Sequence, residues 1–352
     1  MSLRHLAVVS AAAVLLTACS SSSDSPAPDK PEPTKASPVK LVERSPLTGK
    51  PMRDGRPDNP VFVVKIENTG GGAPQYGLNN ADMVIEELVE GGLTRLAAFY
   101  YSKLPSKVGH VRSLRTSDIG IAGPVRGQIV ASGGANGAYN KVENAGITVF
   151  SEDAGSPGFS SDPLKSRPYN RLINLKTVNK SAKVKKIKNN YFPWTPSSTS
   201  ATPTPTPTAS AGATAATEAP ATKTQPATAA TVRFSNSTST SWAYKAKKWV
   251  RTNGHAEAGK DFEADTMIVI SCRVGDAGYT DPAGNPVPET VFEGSGEAKV
   301  FHGGTVTTVK WNKPSLDEGL TFKNADGSPF TIKPGKVFLE LMPKDAGSVS
   351  VS

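Results

Sequence analysis

The stretch Asp82-Met83-Val84-Ile85-Glu86-Glu87-Leu88-Val89-Glu90-Gly91-Gly92-Leu93-Thr94-Arg95-Leu96-Ala97-Ala98-Phe99-Tyr100-Tyr101 sets two apolar arms around a Gly-Gly pair. Whether those arms are helix or strand decides the fold. As a helix, Met83 to Glu90 is amphipathic, with Asn80 as its cap. As strands, the arms join through Gly91-Gly92, a two-residue turn that supplies positive φ twice. The hairpin is preferred, because β-capable runs abut the glycines directly. A two-residue turn sets Glu90 opposite Leu93, Leu88 opposite Arg95 and Glu86 opposite Ala97. Residues two apart share a face, so Glu86, Glu90 and Arg95 are expected together, with Glu87 on the other side.

Charges inside apolar sequence cost free energy unless they are paired. The run Val108-Gly109-His110-Val111-Arg112-Ser113-Leu114-Arg115 adds two arginines, and Asp82 and Asp118 bound the region. Three chemistries fit. Glu86 and Glu90 are candidate catalytic residues that divide acid and base roles. Arg95, Arg112 and Arg115, with Asp82 beside them, are candidate ligand-binding residues, a fork for carboxylate or phosphate groups. In the third, the acids and arginines only neutralise each other and brace the hairpin.

Upstream, Pro60-Val61-Phe62-Val63-Val64-Lys65-Ile66-Glu67-Asn68 has the form of a buried strand. The loop Thr69-Gly70-Gly71-Gly72 lacks phosphate-loop spacing. Downstream, strands are expected at 128–132 and 147–150, with a short helix at 136–144 closed by Gly146. A basic helix is expected at 174–188, its lysines at 183, 185, 186 and 188 forming a solvated face. This alternation predicts an N-terminal mixed-sheet α/β domain over 45–195. Residues 196–230 are nearly all Thr, Pro, Ala and Ser, the composition of a disordered linker, with O-glycosylation a compositional expectation. Short β runs with hairpin signals then predict a β-dominated C-terminal domain over 231–345. The fold class is therefore read as α+β or α/β.

Arg4 and His5 precede an apolar run over 6–16, too short to span a bilayer, which ends in Leu16-Thr17-Ala18-Cys19. That ending looks like a bacterial lipobox. It implies a lipoprotein signal peptide over 1–19, lipidation of Cys19 with diacylglycerol and palmitate, and a Ser- and Pro-rich tether over 20–44. The expected place is the extracytoplasmic face of the cell membrane, anchored through the Cys19 lipid. Cys272 then has no partner for an intramolecular disulfide and is expected to be a buried thiol.

Other classes are set aside. A net charge of +9 favours anionic neighbours, but the charges are spread and leave no nucleic-acid footprint. His5, His110, His255 and His302 stand far apart in no metal spacing, so neither a metal site nor a cofactor is expected. Ser113 lacks a nucleophile elbow. Trp242, Tyr244 and Trp249 are expected in the core.

Specific residues point further. Pro74-Gln75-Tyr76-Gly77-Leu78, Ala81-Asp82, Glu86, Glu90-Gly91-Gly92-Leu93-Thr94-Arg95, Gly109 and Val111-Arg112-Ser113 to Arg115 resemble the YerB-like lipoproteins. So do Gly133-Gly134, the segment from Gly294-Ser295-Gly296 to Trp311, and Asp326-Gly327. The likeness covers most of residues 45–345. His110 stands where the family pattern usually has Pro, and Ala131-Ser132 where a His is common. The resemblance implies an extracytoplasmic lipoprotein with N- and C-terminal regions of unknown function, and no activity. The expected function is a lipid-anchored envelope protein that binds an anionic wall or membrane component, or an envelope protein. The alternative is a cell-wall polymer hydrolase or transferase using Glu86 and Glu90.

Overall fold

A computed structural model describes residues 42–196, 222–281 and 284–352. The signal peptide, Cys19, the tether up to residue 41 and residues 197–221 of the expected linker lie outside the described residues.

The α/β expectation is corrected to a mostly β architecture, with strands in 42% of the described residues and helices in 11%. The Asn136–Asn144 helix does cross between the parallel strands Gln128–Ala131 and Val149–Ser151, but the other helical pieces among the described residues are only three to five residues long, so strands dominate. The α-helices among the described residues are Asp118–Ala122, Asn136–Asn144 and Leu175–Asn179. The second is closed just past its end by Gly146, which has a φ of 73° and whose N–H reaches the Glu143 carbonyl at 2.8 Å. The basic helix stops early, at Asn179 rather than 188. Asn174 caps it by accepting from the N–H groups of Lys176 and Thr177. Continued as helix, Lys183 and Lys186, and Lys185 and Lys188, would stand one turn apart and repel.

A thirteen-stranded mixed sheet forms the frame. Its main path runs Pro329–Phe330, Thr321–Lys323, Thr305–Lys313, Gly294–His302, Thr266–Thr280, Val337–Pro343, Met83–Leu88, Thr94–Tyr100, Phe62–Glu67, Gln128–Ala131, Val149–Ser151. Strands from both halves of the sequence share it. They join where Met83–Leu88 pairs in parallel with Val337–Pro343, from Met83 opposite Val337 to Glu87 opposite Leu341. Thr224–Pro226, within the tract expected to be linker, instead adds an edge strand to Thr305–Lys313. An open edge offers backbone partners, and a proline is tolerated there.

Both faces of the central strands are covered, so their sequences read as continuous apolar runs rather than alternating ones. One face packs Val63, Ile85, Ala97 and Ile129 against the Asp118–Ala122 and Asn136–Asn144 helices and the Tyr191-Phe192 aromatics. On the other, Val64, Val84, Leu96 and Phe338 meet a five-stranded sheet carrying Trp242 and Trp249. Trp242 packs edge-on to Phe338 at 4.7 Å, and both tryptophans are buried.

The hairpin forms with a register one residue away from the expected one. Val89 N–H donates to the Leu93 carbonyl, so the loop is Glu90-Gly91-Gly92, three residues instead of two. Leu88 then faces Thr94, Glu87 faces Arg95 and Glu86 faces Leu96. A one-residue slip exchanges the faces. Arg95 therefore shares its face with Glu87, and Glu86 lies on the opposite one.

Candidate functional site

The strand Thr94–Tyr100 begins at the hairpin tip and places Arg95 at the sheet end, beside the loop that carries Arg112 and Arg115. These three arginines converge on a cleft of about 450 Å³, whose walls include Glu67, Glu90, Leu93, Ser113, Pro168 and Tyr169. Arg112 pairs with Glu67, and its guanidinium carbon lies 5.0 Å from the centre of the Tyr169 ring. Arg115 reaches both Glu90 oxygens, at 2.6 and 2.8 Å. Arg95 Nη1 donates to the Ser113 carbonyl at 3.1 Å, and no carboxylate among the described residues forms an ion pair with it. Burial, with the adjacent Arg115 and Arg112 cations, lowers Arg95 to about 10. It remains charged at neutral pH.

Beneath the cleft lies a charged triad that was not anticipated. Lys65 is fully buried, bonds Glu87 and stands 2.7 Å from Asp118 Oδ1. Burial pulls its ammonium down, but Asp118 and Glu87 outweigh that and hold it above its ordinary value. Burial raises Glu87 against the pull of Lys65. Asp118 Oδ2 also accepts the Arg115 backbone N–H at 2.7 Å, so the triad fixes the chain that carries Arg115. The one advance signal was a lysine inside the β-branched run 61–66.

Glu86 belongs to a different environment. It is fully buried between the two sheets, where both its oxygens accept from Thr240 Oγ1 at 2.9 Å and Oε1 accepts from Asn68 Nδ2 at 2.9 Å. Its parallel-strand neighbour is Glu340, which takes a hydrogen bond from Trp242 Nε1 at 2.7 Å. Burial first, then the Glu86 charge, drive Glu340 well above the ordinary carboxylate range. Two carboxyls in one buried pocket cannot both ionise cheaply, so the pair holds a proton. Glu340 gave itself away only as an acid inside Val337–Pro343.

The structure thus brings Arg95, Arg112, Arg115 and Glu90 together and separates them from Glu86. Asp82 lies at the far end of its strand. There it accepts the N–H groups of Tyr101 and Ser102 at 2.8 and 2.9 Å, which caps the strand end. Cys272 is buried, and burial raises its thiol. His110 is buried between the Gly72 carbonyl and Asp162. Among the described residues no group of three His, Cys, Asp or Glu is placed to hold a metal, and no helix is long and apolar enough to cross a membrane.

Comparison with known proteins agrees with the overall fold. Residues 47–188 match the N-terminal domain of a family described as protein of unknown function (DUF3048), and residues 230–339 match its C-terminal domain. The chain belongs to the DUF3048 family. Among its relatives is the "Putative lipoprotein YerB" of Bacillus subtilis (strain 168), 30% identical over 144 residues. That alignment takes in 40% of this chain and 43% of YerB, so it spans less than half of the relative. The crystal structure of Bacillus subtilis YerB superposes with a TM-score of 0.66 at 21% identity, covering 88% of this chain and all of that one. At that identity the likeness establishes a common fold. The DUF3048 N-terminal match contains Arg95, Arg112, Arg115, Glu67 and Glu90, so the whole cationic core of the cleft comes from that domain. Asp281 and Asn285, on the wall, come from the C-terminal match.

Proposed function

We propose that this DUF3048 protein is a lipid-anchored component of the bacterial cell envelope that binds an anionic envelope component in the Arg95, Arg112 and Arg115 cleft, without turnover. The observation that carries this is Arg95. Its two neighbours are matched by Glu67 and Glu90, whereas Arg95 makes no ion pair among the described residues and faces an open cleft. A buried cation that no carboxylate contacts directly is costly even with Glu90 and Glu67 nearby, and an incoming anion relieves that cost. Anchoring is supported by the Leu-Thr-Ala-Cys ending at Cys19 and by the name given to YerB. The anchor would hold the cleft among wall polymers and lipid headgroups.

The test is thermal-shift titration of the purified protein with soluble wall fragments and anionic lipid micelles. A stabilising shift that Arg95→Ala reduces by about tenfold in apparent affinity is expected. Shifts indifferent to Arg95 would remove the basis of this function.

A further inference from the structure

The end of the sheet opposite the Arg95 cleft carries a second cationic surface, at the end where the chain enters the folded part. We propose that this surface docks on the anionic phosphate headgroups of the membrane and orients the anchored protein on it. The docking rests on the Cys19 anchor proposed above and not on what the cleft binds. Lys103 and Lys107, on the loop after Tyr100, Lys176 in the Leu175–Asn179 helix and Lys260 line an open depression of about 770 Å³. Glu257 is the one acid among the described residues of its wall. All four lysines are exposed, and among the described residues none is within ion-pair distance of a carboxylate. Lys107 acts on Asp162 from farther off, but His110 already bonds that acid at 3.0 Å. Next to the depression, Lys50, Lys248 and Lys336 stand with two acids, Asp82 and Asp265, so the surroundings add no negative excess. Each lysine held against an anionic lipid surface contributes about fivefold in affinity.

The lysines are also held in place. Lys107 Nζ lies 3.3 Å from the centre of the Tyr76 ring, and the Leu175 N–H donates to the Pro105 carbonyl at 3.1 Å, which joins the Lys176 helix to the lysine-bearing loop. Position decides which polyanion meets them. The described chain begins at Val42, and the loop it enters packs at this same end. The Gly335 N–H donates to the Thr48 carbonyl at 2.8 Å, and the adjacent Lys336 Nζ donates at 2.7 Å to the carbonyl of Asn79, on the wall of the depression. Asn59 Nδ2 donates to the Tyr101 carbonyl at 3.1 Å, one residue before Ser102 on that wall. Residues 20–41 therefore lead from Cys19 to the lysine-bearing end, and the hairpin tip lies a strand length, about 20 Å, farther on. A soluble polymer has no reason to favour the end where the anchor joins, whereas a bilayer holding the Cys19 lipid does. With this end docked, the Arg95 cleft is turned from the bilayer toward wall polymers, which narrows the setting given above.

The experiment is lysine footprinting of the full chain, purified from membranes and reconstituted into vesicles of phosphatidylcholine alone or mixed with phosphatidylglycerol. A membrane-impermeant acetylating reagent is added, and mass spectrometry reads the rate at each lysine. Lys103, Lys107, Lys176 and Lys260 should react about fivefold or more slowly on the anionic vesicles, and high salt should remove the difference. Lys310 and Lys323, exposed toward the other end of the sheet, should react equally on both. Lys103→Glu combined with Lys176→Glu should return Lys107 and Lys260 to their rates on neutral vesicles, and the wild-type comparison stands without it if that variant fails to fold. Equal rates on the two vesicle types, slowing shared by Lys310 and Lys323, or protection unchanged in the double variant would overturn the docking surface while leaving the anchor and the cleft in place. Soluble polyphosphate that protects the four lysines on neutral vesicles as strongly as phosphatidylglycerol does would assign the surface to a polymer and overturn the membrane assignment. A chain that floats with neither vesicle has no anchor, and the docking falls with it.

Discussion

At the scale of single residues, the molecule holds charge in three separate ways. Lys65 is answered twice over, by Glu87 and Asp118. Arg95 makes no ion pair among the described residues, and Glu86 and Glu340 face each other as two acids that share a proton. The last pair sets a pH dependence whose sign follows from proton uptake. Glu340 in the folded protein sits well above its ordinary value of 4.5, so above about that pH the folded state holds a proton that the unfolded chain releases. Its stabilisation is complete below that value and is lost as pH rises toward the folded pKa. A glutamine at 340 keeps the acceptor for Trp242 and donates permanently to Glu86. Glu340→Gln should therefore be more stable than wild type by on the order of 1–3 kcal/mol near neutral pH, with a smaller gain near pH 5. Urea denaturation of both proteins across that range checks it, and the difference curve cancels the opposing titrations of His255 and His302. A pH-independent difference would mean that the pair carries no shared proton.

At the scale of elements, the hairpin shows how a short loop assigns chemistry to faces. Gly91 and Gly92 both hold φ of 69°, a region that costs other residues about 1–2 kcal/mol. Their surroundings differ. A Cβ on Gly91 meets only Leu93, at 3.9 Å, whereas one on Gly92 comes within 3.0 Å of Ser235 Oγ. That hydroxyl donates to the Gly92 carbonyl at 2.7 Å and ties the tip to the five-stranded sheet's first hairpin. Gly91→Ala should cost about 1 kcal/mol, and Gly92→Ala about 1 kcal/mol more, with faster amide exchange at residues 235–238. Equal costs would show that the Ser235 contact contributes nothing. The hairpin's existence was legible, because glycines between β-capable runs have few other uses. Its register was not. Arg115 grips Glu90 from 25 residues away and Ser235 grips Gly92 from 143, and such contacts leave no local mark.

At the scale of the whole molecule, the frame depends on both halves of the chain. Removing Val337–Pro343 would expose the backbone edge of Met83–Leu88 along five residue pairs, together with Val84 and Ile85. Phe338, wedged between Trp242 and Phe262, belongs to the same joint. A protease site inserted after Thr208 should therefore yield two fragments that still co-elute on gel filtration after cleavage. Residues 42–196 produced alone should aggregate or stay unfolded. Fragments that separate as folded monomers would contradict a continuous sheet.

What sequence alone determined is what depends on neighbours along the chain. The Val61 to Ile66 run, the helix closed by Gly146, the hairpin at Gly91-Gly92 and the arginines after it are all specified by local conformational preference and by burial on both faces. Tertiary structure decided the rest. It chose the face on which each acid lies, and it set Glu340 against Glu86 across a parallel joint. It also ordered Thr224–Pro226 as an edge strand where composition alone suggested a linker. The physical reason is common to all three. A β ladder pairs residues far apart in sequence, and a register shift of one residue reverses every side chain without altering a single local preference.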